Sequence, residues 1–140
     1  PMANQEHVER LLRNIDEWNE WRDAHPDIIP DLIGAYLENV DLTLADLSNA
    51  DLSNADLILA NLTAADLSFA NLSGANLVGA RLIGVDFDHA DLRGTNLSTA
   101  EDLTGEQLAE AKGDERTQLP EGTPRPQHWA PAVKQVSRIH

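Results

Sequence analysis

One apolar residue recurs at every fifth position between residues 32 and 97, and the register never slips. Leucine fills 13 of the 14 positions, which are Leu32, Leu37, Leu42, Leu47, Leu52, Leu57, Leu62, Leu67, Leu72, Leu77, Leu82, Phe87, Leu92 and Leu97. Five residues turn an α-helix by roughly 500°, so a helix would scatter these side chains around its axis. A flat strand would point successive ones to opposite faces. They share one interior only if the chain turns once in each unit, which predicts a solenoid of short extended pieces.

The residues around each leucine fit such a coil. Alanine stands two residues before the leucine in ten units, and aspartate or asparagine stands directly before it in twelve. Asp and Asn are turn residues, and Ala suits the places where the interior narrows. Successive coils are expected to pair through parallel bridges about 4.8 Å apart. The predicted core includes Leu47, Leu52, Leu57, Leu62, Leu67, Leu72, Leu77 and Phe87.

The composition of the chain is compatible with folding only if its core is built from aliphatic side chains. A formal charge of −14 and an aromatic content of only 4% lean towards disorder. However, Leu, Ile, Val and Phe make up 35 of the 140 residues, which lies above the roughly 20% below which disorder is expected. Each buried leucine contributes roughly 1.5–3 kcal/mol, so a leucine solenoid can form with few aromatic residues.

The pattern A-(D/N)-L-x-x resembles the pentapeptide-repeat family. Ala45-Asp46-Leu47-Ser48-Asn49 and Ala75-Asn76-Leu77-Val78-Gly79 match it directly, and the chain is similar to small bacterial, particularly cyanobacterial, members. The resemblance implies an all-β solenoid, a right-handed quadrilateral parallel β-helix with four units in each coil. Residues 30–100 would then form about three and a half coils.

Residues 1–29 are predicted to cap the first coil, because an open solenoid end must be covered. The apolar spacing between Glu6 and Arg22 indicates one amphipathic helix, and Pro26 ends it near His25. Its apolar face would place Leu11, Ile15, Trp18 and Trp21 over the leucine column. Alternatively, the two tryptophans could bind a partner protein.

The five-residue register breaks after Ala100, so residues 101–129 are predicted to cap the other end. Thr104 and Gln107 form a capping-box pattern, which predicts a short helix running to about Lys112 with Gly113 as its C′ residue.

The prolines that follow favour an extended path, with Trp129 as an anchor on the coil surface or at its end. Residues 130–140 carry Lys134 and Arg138 without any acid and are expected to form a flexible tail.

Several classes of function are excluded by what the sequence lacks. There is no cysteine, no apolar run long enough to cross a membrane and no catalytic or cofactor-binding motif. A non-enzymatic protein with no cofactor and no small-molecule substrate is therefore expected. No secretory signal is apparent, which favours the cytoplasm. The charge of −14 opposes binding to nucleic acids or anionic membranes.

Acidic residues supply the candidate polar sites. With four units in a coil, residues 20 apart stack, so Asp46, Asp66 and Asp86 would form a column that bonds to turn amides. The densest set of potential metal ligands is Asp86, Asp88, His89 and Asp91. No glycine-based calcium loop or pair of histidines at ligand spacing accompanies them. We therefore interpret His89 as a surface turn residue and predict no metal site, although metal binding there stays open.

An exposed apolar cluster is the stronger candidate site. Ile58, Leu59, Val78 and Ile83 occupy outward positions, to which Leu44 and Phe69 add where the geometry permits. Such a patch often marks an interface, either with a partner protein or with a second copy of the chain. The alternative is that the C-terminal segment covers it through Leu119 or Trp129.

Two functions follow from these features. The first is a rigid, non-catalytic protein-interaction scaffold that uses the apolar cluster. The second is mimicry of a DNA duplex, since some family members inhibit DNA gyrase in this way, and the charge and the aspartate columns are compatible with it. Three and a half layers would span only about 17 Å, or some five base pairs, which argues against mimicry.

Overall fold

The computed structural model describes residues 2–130, and the repeat region winds as a parallel solenoid. Bridges join residues exactly one coil, or 20 positions, apart, from Asp31 with Asp51 to Arg81 with Glu101. Four units therefore complete a coil and create four faces, which we number by the bridging residues. Face 1 contains Asp31, Asp51, Asn71 and Asp91; face 2 contains Tyr36, Asp56, Asn76 and Asn96; face 3 contains Asp41, Asn61, Arg81 and Glu101; face 4 contains Asp46, Asp66 and Asp86.

Backbone hydrogen bonds hold each coil to the next. On face 1, the Leu52 N–H donates to the Asn71 carbonyl at 2.7 Å, and the Asn71 N–H donates back to the Ala50 carbonyl at 2.9 Å. Each corner is a tight turn in which an N–H bonds three residues back, as from Ala55 to Leu52 at 3.0 Å. The second central residue of these turns has a positive φ, as a type II turn requires.

Aspartate and asparagine stabilise the turns through their side chains. In all twelve units that carry Asp or Asn before the central residue, the side-chain Oδ1 accepts the N–H of the residue two positions later, at 2.9–3.3 Å. Where that later residue is Ser48, its hydroxyl also donates to Asp46 Oδ1 at 2.6 Å. The acidic residues of the repeat are thus engaged in building turns.

The core is a column of apolar side chains inside the solenoid. The 14 central residues from Leu32 to Leu97 are fully or almost fully buried, and alanines line the walls between them. None of the helices within residues 2–130 is long and apolar enough to cross a membrane.

The N-terminal cap consists of two helices, α1 (Gln5–Arg13) and α2 (Ile15–Ala24). The prediction of one continuous helix from Glu6 to Arg22 was wrong at Asn14, whose backbone is extended with φ −169° and ψ 127°. The Asn14 side chain accepts the Glu17 N–H at 2.9 Å. Asparagine therefore caps the start of α2 instead of continuing α1.

Side chains from both helices satisfy the open backbone edge of the first coil. On face 4, Trp18 Nε1 and Arg22 Nη1 each donate to the Asp46 carbonyl at 2.8 Å. On face 1, the Asp31 N–H donates to His7 Nδ1 at 2.9 Å. Of the four residues predicted to cap the solenoid, Leu11, Trp18 and Trp21 are buried, whereas Ile15 is half-buried against the core. The two tryptophans are therefore unavailable to a partner.

The C-terminal helix, α3, is shorter than expected and spans Gly105–Leu108. Its capping box between Thr104 and Gln107 is present. The prediction that it runs to Lys112 was wrong because the chain returns to the solenoid there. The Lys112 N–H donates to the Ala90 carbonyl at 2.9 Å, and its carbonyl accepts the Leu92 N–H at 2.8 Å.

The solenoid consequently extends beyond residue 100, the boundary expected from the repeat. Lys112 bridges Asp91 on face 1, and Gln118 bridges Asn96 on face 2. These added pieces are offset by 21 and 22 residues instead of 20, because α3 and a longer turn interrupt the five-residue spacing.

Gly113 and Trp129 close the interior at this end. Gly113 follows the bridging Lys112, so it stands where the other rungs of face 1 carry leucine, and it does not act as a left-handed C′ residue. The Trp129 indole lies against it and would overlap any Cβ at this position. Trp129 belongs to a 3₁₀ turn, Gln127–Trp129, and is only 4% exposed, with Nε1 donating to the Ala111 carbonyl at 3.0 Å. Of the tail predicted at 130–140, residues 131–140 lie outside the described residues.

Candidate interaction surface

The potential metal ligands are directed to other partners. Asp86 accepts the Asp88 N–H at 2.9 Å, and the His89 ring stacks on Phe69, with centroids 4.7 Å apart and planes 4° apart. Asp91 lies on face 1, where the hydrogen bond from Arg93 lowers the pKa of its carboxyl. Within residues 2–130, no group of three or more His, Asp or Glu side chains is placed to hold a metal ion.

The aspartate column on face 4 has the geometry of turn chemistry. Asp46, Asp66 and Asp86 occupy successive bridged rungs, and each accepts the N–H of the residue two positions later. Asp46 is also 3.4 Å from Arg22 Nη1. Each of these three carboxylates therefore already has a hydrogen-bonding role in the fold.

The apolar candidates fall into separate groups. Ile58 and Val78 occupy equivalent positions on adjacent rungs of face 2, and both are half-buried. Leu59 stands at the corner between faces 2 and 3, 53% exposed, with its side chain over Gly79. We call Ile58, Leu59 and Val78 the apolar strip. The Ile58 N–H donates to Asp56, the Val78 N–H donates to Asn76, and the Leu59 N–H donates to the Val78 carbonyl. These hydrogen bonds fix the backbone of the strip.

The other apolar candidates lie outside this strip. Ile83, 54% exposed, is on face 3, around the corner from Leu59. Leu44 stands at the corner between faces 3 and 4, and Phe69 stands at the corner between faces 4 and 1. The surface therefore consists of the strip on face 2 and a second apolar region on face 3, with Phe69 separate from both.

Neither residue proposed to cover the strip lies on it. Leu119 follows the bridging Gln118 and therefore continues the interior column above Leu97, partly buried against the core. Trp129 packs on Gly113 at the end of the solenoid. The two residues through which the C-terminal segment was expected to cover the strip therefore pack elsewhere, and Leu59 of the strip is 53% exposed.

Tyr36 is an exposed surface residue that the repeat pattern did not single out. It lies on the first rung of face 2, below Asp56, and is strongly exposed. Its hydroxyl donates to Glu38 Oε2 at 3.1 Å, and this hydrogen bond raises the pKa of Tyr36. The available signal was its position, because a large aromatic side chain replaces the Asp or Asn that builds the turn.

Four faces of five-residue units around a solid leucine column define a repeat solenoid. The family model for pentapeptide repeats matches in 8 copies, over residues 31–63 and 60–98. The chain is 44% identical to a pentapeptide repeat protein from Nostoc PCC 7120, alr5209, covering 64% of this chain and 69% of that one with a TM-score of 0.50. This protein therefore belongs to the pentapeptide-repeat family.

Other solved structures are more distant. The pentapeptide repeat protein Rfr23 from the cyanobacterium Cyanothece 51142 is 35% identical, with a TM-score of 0.35 and 61% coverage of each chain. QnrB1, a plasmid-mediated fluoroquinolone resistance protein, is 19% identical, with a TM-score of 0.34, covering 57% of this chain and 51% of that one. At these TM-scores neither likeness bears on function. No curated protein matches the chain.

Proposed function

We propose that this protein is a non-catalytic interaction module that binds a partner protein through the apolar strip. The observation that carries the proposal is the strip itself, three aliphatic side chains on the outside of a solenoid whose other outward positions are mostly polar. Pentapeptide-repeat proteins are generally non-enzymatic structural or interaction modules, which supports the same function.

The architecture also supports binding rather than catalysis. Leucine and alanine fill the interior, so the described part of the solenoid has no internal pocket of the kind that encloses a substrate. The coil is inferred to be right-handed, since parallel crossover connections almost always are. A rigid flat face loses little conformational entropy when it binds, so burial of a few aliphatic side chains can contribute usefully to affinity.

The strip is tested by replacing both of its central residues with charges. We expect Ile58→Glu with Val78→Glu to reduce recovery of a specific partner at least tenfold, because a carboxylate buried in an apolar contact is strongly disfavoured. The measurement is affinity capture from the source cell, compared quantitatively with the wild-type protein.

A matched control separates the strip from general charge effects. Ser53→Glu with Ser73→Glu adds the same charge at equivalent positions of face 1 and should leave capture unchanged. Circular dichroism confirms that all variants fold. Equal capture by the strip variant and the wild type would refute the assignment.

Mimicry of DNA is the second candidate, and the acidic column of face 4 is the feature that favours it. Asp46, Asp66 and Asp86 present one carboxylate for each rung of that face. The length of the solenoid argues against mimicry. Even a face with five rungs, such as face 1, spans only about 20 Å, which is the length of some six base pairs. A supercoiling assay with purified DNA gyrase tests the idea, and full gyrase activity at high micromolar protein would eliminate it.

A further inference from the structure

Face 3 carries an ordered pattern of charge. From the first coil to the fourth, its bridging residues are Asp41, Asn61, Arg81 and Glu101, which read negative, neutral, positive and negative. Arg81 is the basic side chain of this face in the described part of the chain. Its side chain is 64% exposed, and its Nε lies 3.8 Å from Glu101 Oε1, which is a long distance for an ion pair. Arg81 is therefore available to a second carboxylate.

The corner beside this column carries an ordered pattern of size. Leu44, Ala64 and Gly84 stack over three rungs, all with positive φ. Leu44 protrudes and is 64% exposed. At Gly84 the corner has no side chain and forms a shallow notch, where an added Cβ would make ordinary van der Waals contact with Ala64 at 3.6 Å. A bulky side chain in left-handed backbone is uncommon, whereas glycine or asparagine would hold the same turn more easily.

Over the three rungs of Asp41, Asn61 and Arg81, both patterns are complementary to their own reversal. Consider a second copy that faces the first across a two-fold axis lying between them, parallel to the rung of Asn61 and level with it. The order of the coils is then reversed in the second copy, while the position along each rung is kept. Asp41 then meets Arg81 of the second copy, and the reverse pair forms at the other end. Leu44 likewise meets the notch at Gly84. A two-fold contact requires this kind of self-complementarity.

We propose that face 3 is a self-association surface, on which two copies of this chain pack antiparallel with Asp41 against Arg81 and Leu44 against Gly84. Charge favours this face over face 4. Two copies with a net charge of −14 repel each other, and self-contact through face 4 would oppose the columns of Asp46, Asp66 and Asp86. The proposal does not rest on the apolar strip of face 2.

The contact is small. Three paired rungs at about 4.8 Å and a width of about 15 Å give roughly 200 Å² for each copy, well below the roughly 800 Å² of a standard stable interface. The dimer is therefore weak, with a dissociation constant above about 100 μM.

Sedimentation equilibrium from 10 μM to 1 mM protein tests the proposal. The wild type should show reversible dimerisation over this range. Arg81→Asp should weaken it at least tenfold, since it places aspartate against Asp41 at both ends. The swap of Asp41→Arg with Arg81→Asp should restore the wild-type constant within about threefold. Arg93→Asp on face 1, which changes the net charge equally, is the control and should have less than a twofold effect.

A second variant covers the case in which the swap fails to fold. Gly84→Asn keeps a residue suited to positive φ but fills the notch, so it should weaken dimerisation at least fivefold. A wild type that is monomeric at 1 mM overturns the proposal. The proposal is also overturned if neither Arg81→Asp nor Gly84→Asn alters dimerisation. It is overturned as well if Ile58→Glu is the only variant that abolishes dimerisation. A folded swap variant that fails to dimerise likewise overturns the antiparallel register.

Discussion

The acidic residues of the repeat act mainly as hydrogen-bond acceptors for the backbone of their own turns. Asp and Asn are interchangeable before the central leucine, because either Oδ1 accepts the N–H two residues later, as Asp51 does for Ser53 at 3.1 Å and Asn71 does for Ser73 at 3.0 Å. The turn therefore needs the acceptor oxygen but not its charge. Asp91 differs, because Arg93 adds bonds of 2.9 and 2.7 Å to its carboxylate.

Asp91 should consequently make folding sensitive to acid. The hydrogen bond from Arg93 lowers the pKa of its carboxyl in the folded protein. This group therefore stabilises the fold above the unfolded pKa, near 3.9, and the contribution is lost as pH falls towards the folded pKa. Asp91→Asn keeps the turn bond and should cost less than about 1 kcal/mol at pH 7, since the ion pair is partly exposed.

Urea denaturation of the two proteins at pH 7 and pH 3 measures this difference. The wild type should lose more stability between the two pH values than Asp91→Asn does. An equal loss in both proteins would show that Asp91 does not contribute to acid sensitivity.

At the level of elements, backbone pairing in the solenoid overrides local helix signals. The sequence after Thr104 favours a longer helix, yet α3 ends at Leu108 and Lys112 joins the ladder on face 1. The same rung then lacks a central leucine, and Trp129 fills the space beside Gly113. The C-terminal cap thus depends on a contact between residues 16 positions apart.

Gly113→Ala tests this cap. Its Cβ would overlap the Trp129 indole, so we expect a loss of about 1–3 kcal/mol in unfolding free energy from overpacking. Gly105→Ala is the control, because nothing lies near its Cβ and alanine favours the helix. Thermal and urea unfolding of both variants measure the effect, and equal stability of the two would contradict the packing described for Trp129.

The parts of the fold that could be predicted are those encoded locally. A period of five with Asp or Asn before leucine determines the coil register, because each unit carries its own turn and its own core residue. The break at Asn14 escaped prediction because the apolar spacing continues through it while its side chain caps α2. The position of Trp129 could not be predicted because it depends on tertiary packing.

At the candidate site, sequence spacing grouped Ile58 with Val78 correctly on one face. The stacking of Leu44 and Gly84 at one corner became apparent only from the geometry of the turns.

The whole molecule is a short solenoid whose two ends are closed by different means. At the C-terminal end, the Gln107 side chain donates to the Leu82 and Val85 carbonyls at 2.8 and 3.0 Å, and Leu108 is fully buried. At the N-terminal end, α1 and α2 bond to faces 1 and 4 of the first coil. Unpaired edges of parallel bridges promote association between chains, so the caps limit association through the two ends of the solenoid.

Removal of residues 2–25 should therefore change how the protein associates. The deletion exposes the first leucines and frees the Asp31 and Asp46 backbone groups that α1 and α2 now satisfy. We expect oligomers that light scattering detects at 10 μM, where the proposed face 3 dimer is minor. Trp18→Ala in the full chain removes core packing but keeps α1 and most of the edge bonds, so it should cost about 3–5 kcal/mol while the folded protein stays monomeric. If the truncated chain is monomeric and melts within about 5 °C of the wild type, the helices do not protect the solenoid end.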